Sequence, residues 1–150
     1  MDISDLYSER ILELAANAVQ PPRLAEPDAS ARKVSRVCGS VIEVDLAVTD
    51  GVVSGYGHHL SACALGQTSA AVMAREIVGT PTGELLHLRD QMHAMLTAGG
   101  SPPAGKWSDL AYLEPVRDYK ARHMSTLLVF DAVAEALEII ESKQRFAAAD

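Results

Sequence analysis

Two cysteines and one histidine are the residues of this chain whose types could bind a metal together. Cys38 and Cys63 are its two cysteines, and they lie 25 positions apart, while His123 lies far downstream. Thiolate and imidazole are preferred ligands of zinc, and thiolate is the usual ligand of iron–sulfur clusters. The spacing contains no C-x-x-C and no H-x-x-x-H pattern. It therefore leaves three interpretations open: a disulfide, a soft-metal site, or two small cysteines buried in a core.

The segment between the two cysteines predicts a hairpin. Apolar and polar side chains alternate from Val41 to Thr49, Asp50-Gly51 is a strong two-residue turn signal, and Val52 to Leu60 forms the return strand. Because the ends of a hairpin are neighbours, we expect Cys38 and Cys63 to lie close together.

The elements around the hairpin predict an α+β fold. Arg32 to Val37 is a candidate first strand, so the sheet would have three antiparallel strands with helices on one face. The predicted helices are Ser4 to Ala18, Ala64 to Val78, one beginning with Thr82 as its cap, and Ala121 to Lys143, with a short apolar segment from Trp107 to Leu113. Cys63 would then open a helix, where free amides and the helix dipole stabilise a thiolate. We expect one domain over residues 1–150, with the metal site at one end of the sheet.

A proline-containing connection, Gln20 to Ser30, separates the first helix from the sheet. Its composition is typical of an extended segment that runs over the surface. The alternative is a mobile arm that borders the site.

Composition and charge exclude several classes of function. The net charge is −7 at pH 7, and no basic block is present, so we expect no nucleic-acid binding. No run of 18 apolar residues occurs, so we expect no membrane span. The acidic start, Met1 to Asp5, is unlike a signal peptide, and we therefore expect a cytoplasmic protein whose cysteines are reduced.

Three motifs in order resemble the U-type iron–sulfur cluster assembly scaffolds, namely IscU, SufU and the N-terminal domain of NifU. Cys38-Gly39-Ser40 precedes the hairpin, the run from Cys63 to Met73 is rich in Ala and Ser, and Arg122 to Leu128 opens the last helix. The family pattern is Cys-Gly-Asp, a hairpin, a cysteine that opens a helix, and a His-Cys or Lys-Cys segment. The resemblance runs from the first helix to Ile140, and the longer stretch between Cys63 and His123 is more like SufU than IscU.

The resemblance implies an IscU/SufU-like scaffold that is not an enzyme and that binds zinc or a [2Fe–2S] cluster. Cys38, Cys63 and His123 match ligand positions, while Ser40 replaces the family's aspartate and is a weak candidate metal ligand. Met124 is matched to the family's third cysteine, and its neutral thioether accepts no persulfide sulfur. The implied partners are a cysteine desulfurase and iron–sulfur cluster recipient proteins, with a homo-oligomer as a further expectation.

Two alternatives stay open. One is a degenerate paralogue that acts as a zinc-binding or protein-interaction module without cluster assembly. The other is an enzyme in which Cys63 is the nucleophile and His123 is the base.

Overall fold

A computed structural model describes residues 6–149 of the chain, with side chains described for residues 6–147. The elements in chain order are α1 (Glu9–Ala16), β1 (Ala29–Val34), β2 (Val41–Thr49), β3 (Val52–Ser61), α2 (Ala64–Glu76), α3 (Thr82–Thr97), a 3-10 segment (Gly105–Asp118), a short 3-10 turn (Lys120–Arg122) and α4 (His123–Ala149). Among these helices, none is both long and apolar enough to cross a membrane.

The sheet is antiparallel and has the order β1-β2-β3. The predicted two-residue turn joins β2 to β3, and both turn residues are left-handed, Asp50 with φ 53° and Gly51 with φ 76°. That conformation matches the twist of paired strands, which explains the Asp-Gly sequence. The β2–β3 pairing shifts by one residue between Ala47 and Val48. A bulge therefore lies near Gly55, and glycine inside a strand often marks one.

The helices lie on one face of the sheet, so the predicted α+β architecture is confirmed. Ile42, Val44 and Leu46 of β2 are fully buried on that face, and α4 packs across β1 and β2. Helix α2 packs against α1 and α4, and α3 packs against α4. This layering gives a core whose largest fully buried side chains include residues of α1, β2, α2, α3, the 3-10 segment and α4.

The opposite face of the sheet is covered by an extended segment, residues 20–28, which we call the strap. Arg23 donates from Nε and Nη2 to the two carboxylate oxygens of Asp45, which is buried on β2. A Cβ atom added to Gly57 would collide with the carbonyl oxygen of Pro22, so a glycine is needed where the strap crosses β3. The predicted connection over the surface is thus a segment tied to the sheet by a buried ion pair.

Several predicted boundaries differ from the structure. The first strand is Ala29–Val34 rather than Arg32 to Val37, because Ala29 and Ala31 point into the core and pair with Leu46 and Val44. The first helix is Glu9–Ala16, shorter than Ser4 to Ala18, and Ser8 caps it by accepting from the Ile11 amide. Ser4 and Asp5 of that prediction lie outside the described residues.

Three further differences concern the second half of the chain. The first residue of α3 is Thr82, and Pro81 rather than Thr82 occupies its N-cap position. The predicted apolar turn from Trp107 to Leu113 is part of the longer 3-10 segment, whose buried residues are Trp107, Leu110, Leu113 and Val116. Helix α4 begins two residues later than predicted and continues to Ala149.

Candidate functional site

The loop between β1 and β2 presents Cys38 to solvent. Ser35 donates its amide hydrogen to the Ser40 carbonyl at 2.8 Å, and Gly39 donates to the Ser35 carbonyl at 2.8 Å. Gly39 has φ 73°, a left-handed value that suits glycine. This tight loop buries Ser35 and Ser40 and leaves Cys38 exposed at the end of the sheet.

Cys63 lies at the N-cap of α2, as its position before an Ala-rich helix predicted. Its side chain makes no capping hydrogen bond to the helix amides, and it is half-buried. Its Sγ atom lies 3.5 Å from the Oγ atom of Ser125, in the first turn of α4. A Cβ atom at Gly66 would come within 3.0 Å of the Ser125 carbonyl oxygen. Glycine at this position therefore allows α4 to start close to α2.

Two serine hydroxyls lie beside the Cys38 thiol. Its Sγ atom lies 3.3 Å from Ser35 Oγ and 3.0 Å from Ser40 Oγ. Burial opposes ionisation, but hydrogen bonds from these hydroxyls and from the Ser40 amide favour the thiolate and lower the pKa of Cys38 to about 7. A substantial fraction of Cys38 is therefore ionised at neutral pH and able to bind a metal.

The pairing of Val41 with Ser61 places the two cysteines at the same end of the sheet, and Ser125 Oγ lies beside the Cys63 thiol. Both cysteines are free thiols. The predicted proximity of Cys38 and Cys63 follows from the hairpin, and Ser40 lies beside Cys38 as expected. We call Cys38, Ser40, Cys63 and Ser125, with Ser35 behind them, the thiol pocket.

His123 is not directed into the thiol pocket. Its Nε2 atom lies 3.0 Å from the Val116 carbonyl oxygen and 3.1 Å from that of Arg117, so this nitrogen is the donor that closes the 3-10 segment onto α4. Within the described part of the chain, no group of three or more His, Cys, Asp or Glu side chains is arranged to hold a metal ion. The three ligands expected from the sequence are thus not assembled into one ligand set in this structure.

Met124 also lies away from the thiols. Its side chain is 45% exposed, and it lines a groove with Leu127, Leu128 and Asp131. The residue of α4 that does reach the Cys63 thiol, Ser125, was not singled out from the sequence. The resemblance implied that the start of the last helix belongs at the site, but which of three consecutive side chains faces Cys63 depends on the rotation of the helix.

The remaining histidines lie outside the thiol pocket. His58 and His59 point to opposite faces of β3, as neighbouring residues of a strand do, and of the two only His59 is exposed. Burial, with a smaller contribution from His59, lowers the pKa of His58 to about 4. His87 is exposed, while His93 Nε2 lies 2.7 Å from Asp131 Oδ1 on α4. None of these side chains contributes a donor to the thiols.

Comparison with known proteins shows where this architecture occurs. No protein-family model and no curated protein sequence matches the chain. Among solved structures, it is similar to a nitrogen-fixing NifU-like protein (N-terminal) from Brucella abortus, with 52% identity and a TM-score of 0.91 over 94% of this chain and 98% of that one. It also has the fold of FiSufU from the thermophilic Fervidobacterium islandicum AW-1, assigned as an iron–sulfur cluster assembly scaffold protein for the SUF system. That match has 18% identity and a TM-score of 0.81 over 91% of this chain and 99% of that one. The three sequence motifs, the three-stranded sheet with its helices and the 52% identity together establish that this chain belongs to the U-type iron–sulfur cluster assembly scaffold family.

Proposed function

We propose that this protein holds a labile metal cargo, a [2Fe–2S] cluster or zinc, through Cys38 and Cys63 during iron–sulfur cluster assembly. The observation that carries the proposal is that the β2–β3 pairing places both cysteines at the same end of the sheet, where Cys38 is exposed and Cys63 lies beside the Ser125 hydroxyl. Two thiols in this arrangement can bind one metal centre, and the exposure of Cys38 leaves that centre open to exchange. The proposed role is to hold and transfer the cargo, and no bond-breaking catalysis is assigned to the protein.

The donor set fits a transient cargo better than a permanent metal. Structural zinc has four protein ligands, and a [2Fe–2S] cluster is usually held by four cysteines. The thiol pocket offers two sulfur donors, and its hydroxyls are neutral and weak ligands for soft metals. Ser40 therefore remains a weak candidate, and the missing strong ligands would come from a partner or from a second copy in a homo-oligomer.

His123 would have to change its contacts to become a ligand. It would release the carbonyl oxygens of Val116 and Arg117, which its ring nitrogen now satisfies. A hydrogen bond of this kind contributes about 1 kcal/mol, so a metal bond is strong enough to replace it. We accordingly assign His123 as a ligand that binds only in the loaded protein.

The surface around Cys38 fits an acidic partner, and we propose that a cysteine desulfurase and, later, a cluster recipient protein dock here. Val37, Cys38, Lys120 and Arg122 line a cleft of about 400 Å³. In the described part of the chain, Arg36, Lys120 and Arg122 make no ion pair. A cluster of unpaired cations on a protein of net charge −7 is complementary to an acidic surface and would steer its approach. Such a reaction belongs to the reducing cytoplasm, where both thiols stay free.

The test of the site is metal content and visible absorption after anaerobic reconstitution. We expect a coloured cluster or stoichiometric zinc in the wild type and its loss in Cys38→Ala and Cys63→Ala. His123→Ala should lower retention of the cargo, while His87→Ala, a surface histidine far from the thiols in sequence, serves as the matched control. Folded wild-type protein that takes up neither iron nor zinc would refute the proposed site.

The test of the partner is cysteine desulfurase turnover measured with and without this protein. We expect the protein to change desulfurase activity, and we expect the double substitution Lys120→Glu/Arg122→Glu to abolish the effect. The control is Arg145→Glu, which reverses an exposed charge near the other end of α4. If Arg145→Glu loses the effect on desulfurase turnover equally, or if the wild-type protein does not change that turnover, docking at this surface is contradicted.

A second candidate function is a protein-interaction or zinc-binding module without cluster assembly. It is favoured by one observation, that hydroxyls rather than further thiols or carboxylates complete the pocket around Cys38. It predicts that the protein alters desulfurase activity but carries no cluster under any reconstitution condition. Iron and sulfide bound in equal amounts after reconstitution would rule this candidate out.

A further inference from the structure

We infer that Ser125 occupies the position on α4 from which a cysteine would act as a third sulfur ligand, and that its hydroxyl restricts this protein to two sulfur ligands. The inference builds on the proposed function and identifies the residue that decides how many sulfur ligands the protein offers. It differs from the expectation based on sequence resemblance, which matched Met124 to the family's third cysteine.

The geometry of the first turn of α4 carries the inference. Ser125 is 1% exposed, and its Oγ atom is 3.5 Å from Cys63 Sγ. Consecutive side chains on an α-helix point about 100° apart. Met124 is accordingly directed into the neighbouring groove, and the ring of His123 is held by two carbonyl oxygens of the 3-10 segment.

The chemistry of a hydroxyl at this point explains weak holding of the cargo. Ser125 Oγ also lies 3.2 Å from the Arg122 carbonyl oxygen, to which it donates its one proton. Its lone pairs are then available to accept from the Cys63 thiol, so it contacts this sulfur without adding charge. A cysteine here would add a third thiolate, the kind of ligand that zinc and iron–sulfur clusters prefer.

The decisive test compares Ser125→Cys with Met124→Cys, each combined with Cys38→Ala so that two thiols remain. Metal-free protein is treated with diamide, which takes up the two electrons and two protons released when two thiols join as a disulfide and is itself reduced to the hydrazine. Because Ser125 Oγ is already 3.5 Å from Cys63 Sγ, we expect Ser125→Cys to form a disulfide with Cys63 at least tenfold faster than Met124→Cys. Peptide mapping under non-reducing conditions identifies the bond, and circular dichroism confirms that both variants are folded.

The second readout is zinc affinity by competition with a chromophoric chelator, with Cys38 restored. We expect Ser125→Cys to bind zinc at least tenfold more tightly than the wild type and Met124→Cys to change affinity less than threefold. If Met124→Cys crosslinks to Cys63 as fast as Ser125→Cys, the inference is overturned. If Ser125→Cys does not fold, rapid crosslinking of folded Met124→Cys to Cys63 overturns it as well. If Ser125→Cys crosslinks selectively but the wild type binds no metal, the position of Ser125 is confirmed and the proposed cargo function fails.

Discussion

Replacing Asp45 by asparagine is expected to destabilise the protein by about 3 kcal/mol at pH 7, because Asp45 ties the strap to the sheet. Arg23 Nε donates to Oδ2 at 2.6 Å, and Arg23 Nη2 donates to Oδ1 at 2.9 Å. The Leu24 amide donates to Oδ2 at 3.0 Å, and the Ser30 hydroxyl donates to Oδ1 at 2.6 Å. All four partners are donors, so the amide nitrogen of an asparagine would face two of them without an acceptor.

The magnitude follows from how the pair is buried. Removing one partner of a fully buried ion pair costs about 3–5 kcal/mol. The Asp45 side chain is almost completely buried, whereas the Arg23 side chain is 43% exposed and keeps part of its hydration. We therefore expect the lower end of that range. The uncompensated arginine and the exposed Ser30 hydroxyl can both turn to water, which keeps the loss at that lower end.

The same contacts predict how the effect depends on pH. The hydrogen bonds from Arg23 hold the pKa of Asp45 at about 2, below its ordinary value of 3.8. Since the folded-state pKa is the lower one, the stabilisation is complete above pH 3.8 and is lost as the pH falls through 2. A tenfold change in proton affinity corresponds to about 1.4 kcal/mol. The difference in free energy of unfolding between wild type and Asp45→Asn should therefore decrease by about 2 kcal/mol between pH 5 and pH 2.

The assay is urea unfolding of both proteins at pH 7, 5, 3 and 2, followed by circular dichroism. The titration of His58 is common to both proteins. The difference between their free energies of unfolding therefore reports only the contribution of Asp45. The matched control is Glu43→Gln, because Glu43 accepts from Arg23 Nη1 at 3.0 Å on the exposed side of the same arginine. An exposed pair contributes less than about 1 kcal/mol. The reasoning is refuted if Asp45→Asn lowers the free energy of unfolding no more than the control does. It is also refuted if the difference between Asp45→Asn and the wild type does not change with pH.

Three further predictions follow from the strap, the core and the thiol pocket. The folded-state pKa of His58 is about 4, so the unfolded chain binds more protons than the folded protein below pH 6.5. The free energy of unfolding of the wild type should therefore fall by about 3 kcal/mol between pH 6.5 and 4. A His58→Gln variant whose free energy of unfolding in urea falls equally with pH would contradict this. Gly57→Ala should lower stability by about 2 kcal/mol, because its Cβ would collide with the Pro22 carbonyl oxygen. In the control Gly55→Ala, the new Cβ makes an ordinary 3.4 Å contact with Leu24, and the loss of stability should be under about 1 kcal/mol. Equal losses of stability in thermal melts would show that the strap adjusts freely. In metal-free protein, the pH dependence of the Cys38 alkylation rate should have its midpoint near pH 7, as measured by mass spectrometry of the Cys38 peptide. A midpoint at or above the ordinary pKa of a thiol would show that the surrounding hydroxyls do not stabilise the thiolate.

The fold was predictable because its signals are local. Strand alternation and the Asp50-Gly51 turn defined the β2–β3 hairpin, and the small-residue run after Cys63 defined α2. These patterns depend on the backbone preferences of neighbouring residues, which the sequence displays directly. The first strand was displaced by three residues because its pairing with β2, rather than its own weak alternation, determines where it begins.

The strap illustrates what local patterns do not show. Its prolines indicated an extended connection, but nothing near Arg23 in the sequence identifies Asp45 as its partner 22 positions away. Strand alternation places Asp45 on the polar face of β2, opposite the face that carries Ile42, Val44 and Leu46. The strap covers that face, which makes Asp45 a buried anchor rather than a solvated side chain.

For the candidate site, the sequence by itself determined which thiols are available, that a hairpin brings them together, and that the start of the last helix lies beside them. The tertiary structure decided which side chain of that helix faces them. A helix presents residues 123, 124 and 125 in three different directions, and its rotation is set by packing against α2, α3 and the sheet. Cys63 and Ser125 are 62 positions apart, so their contact depends on the closeness of α2 and α4 at Gly66, which no pattern within either helix encodes.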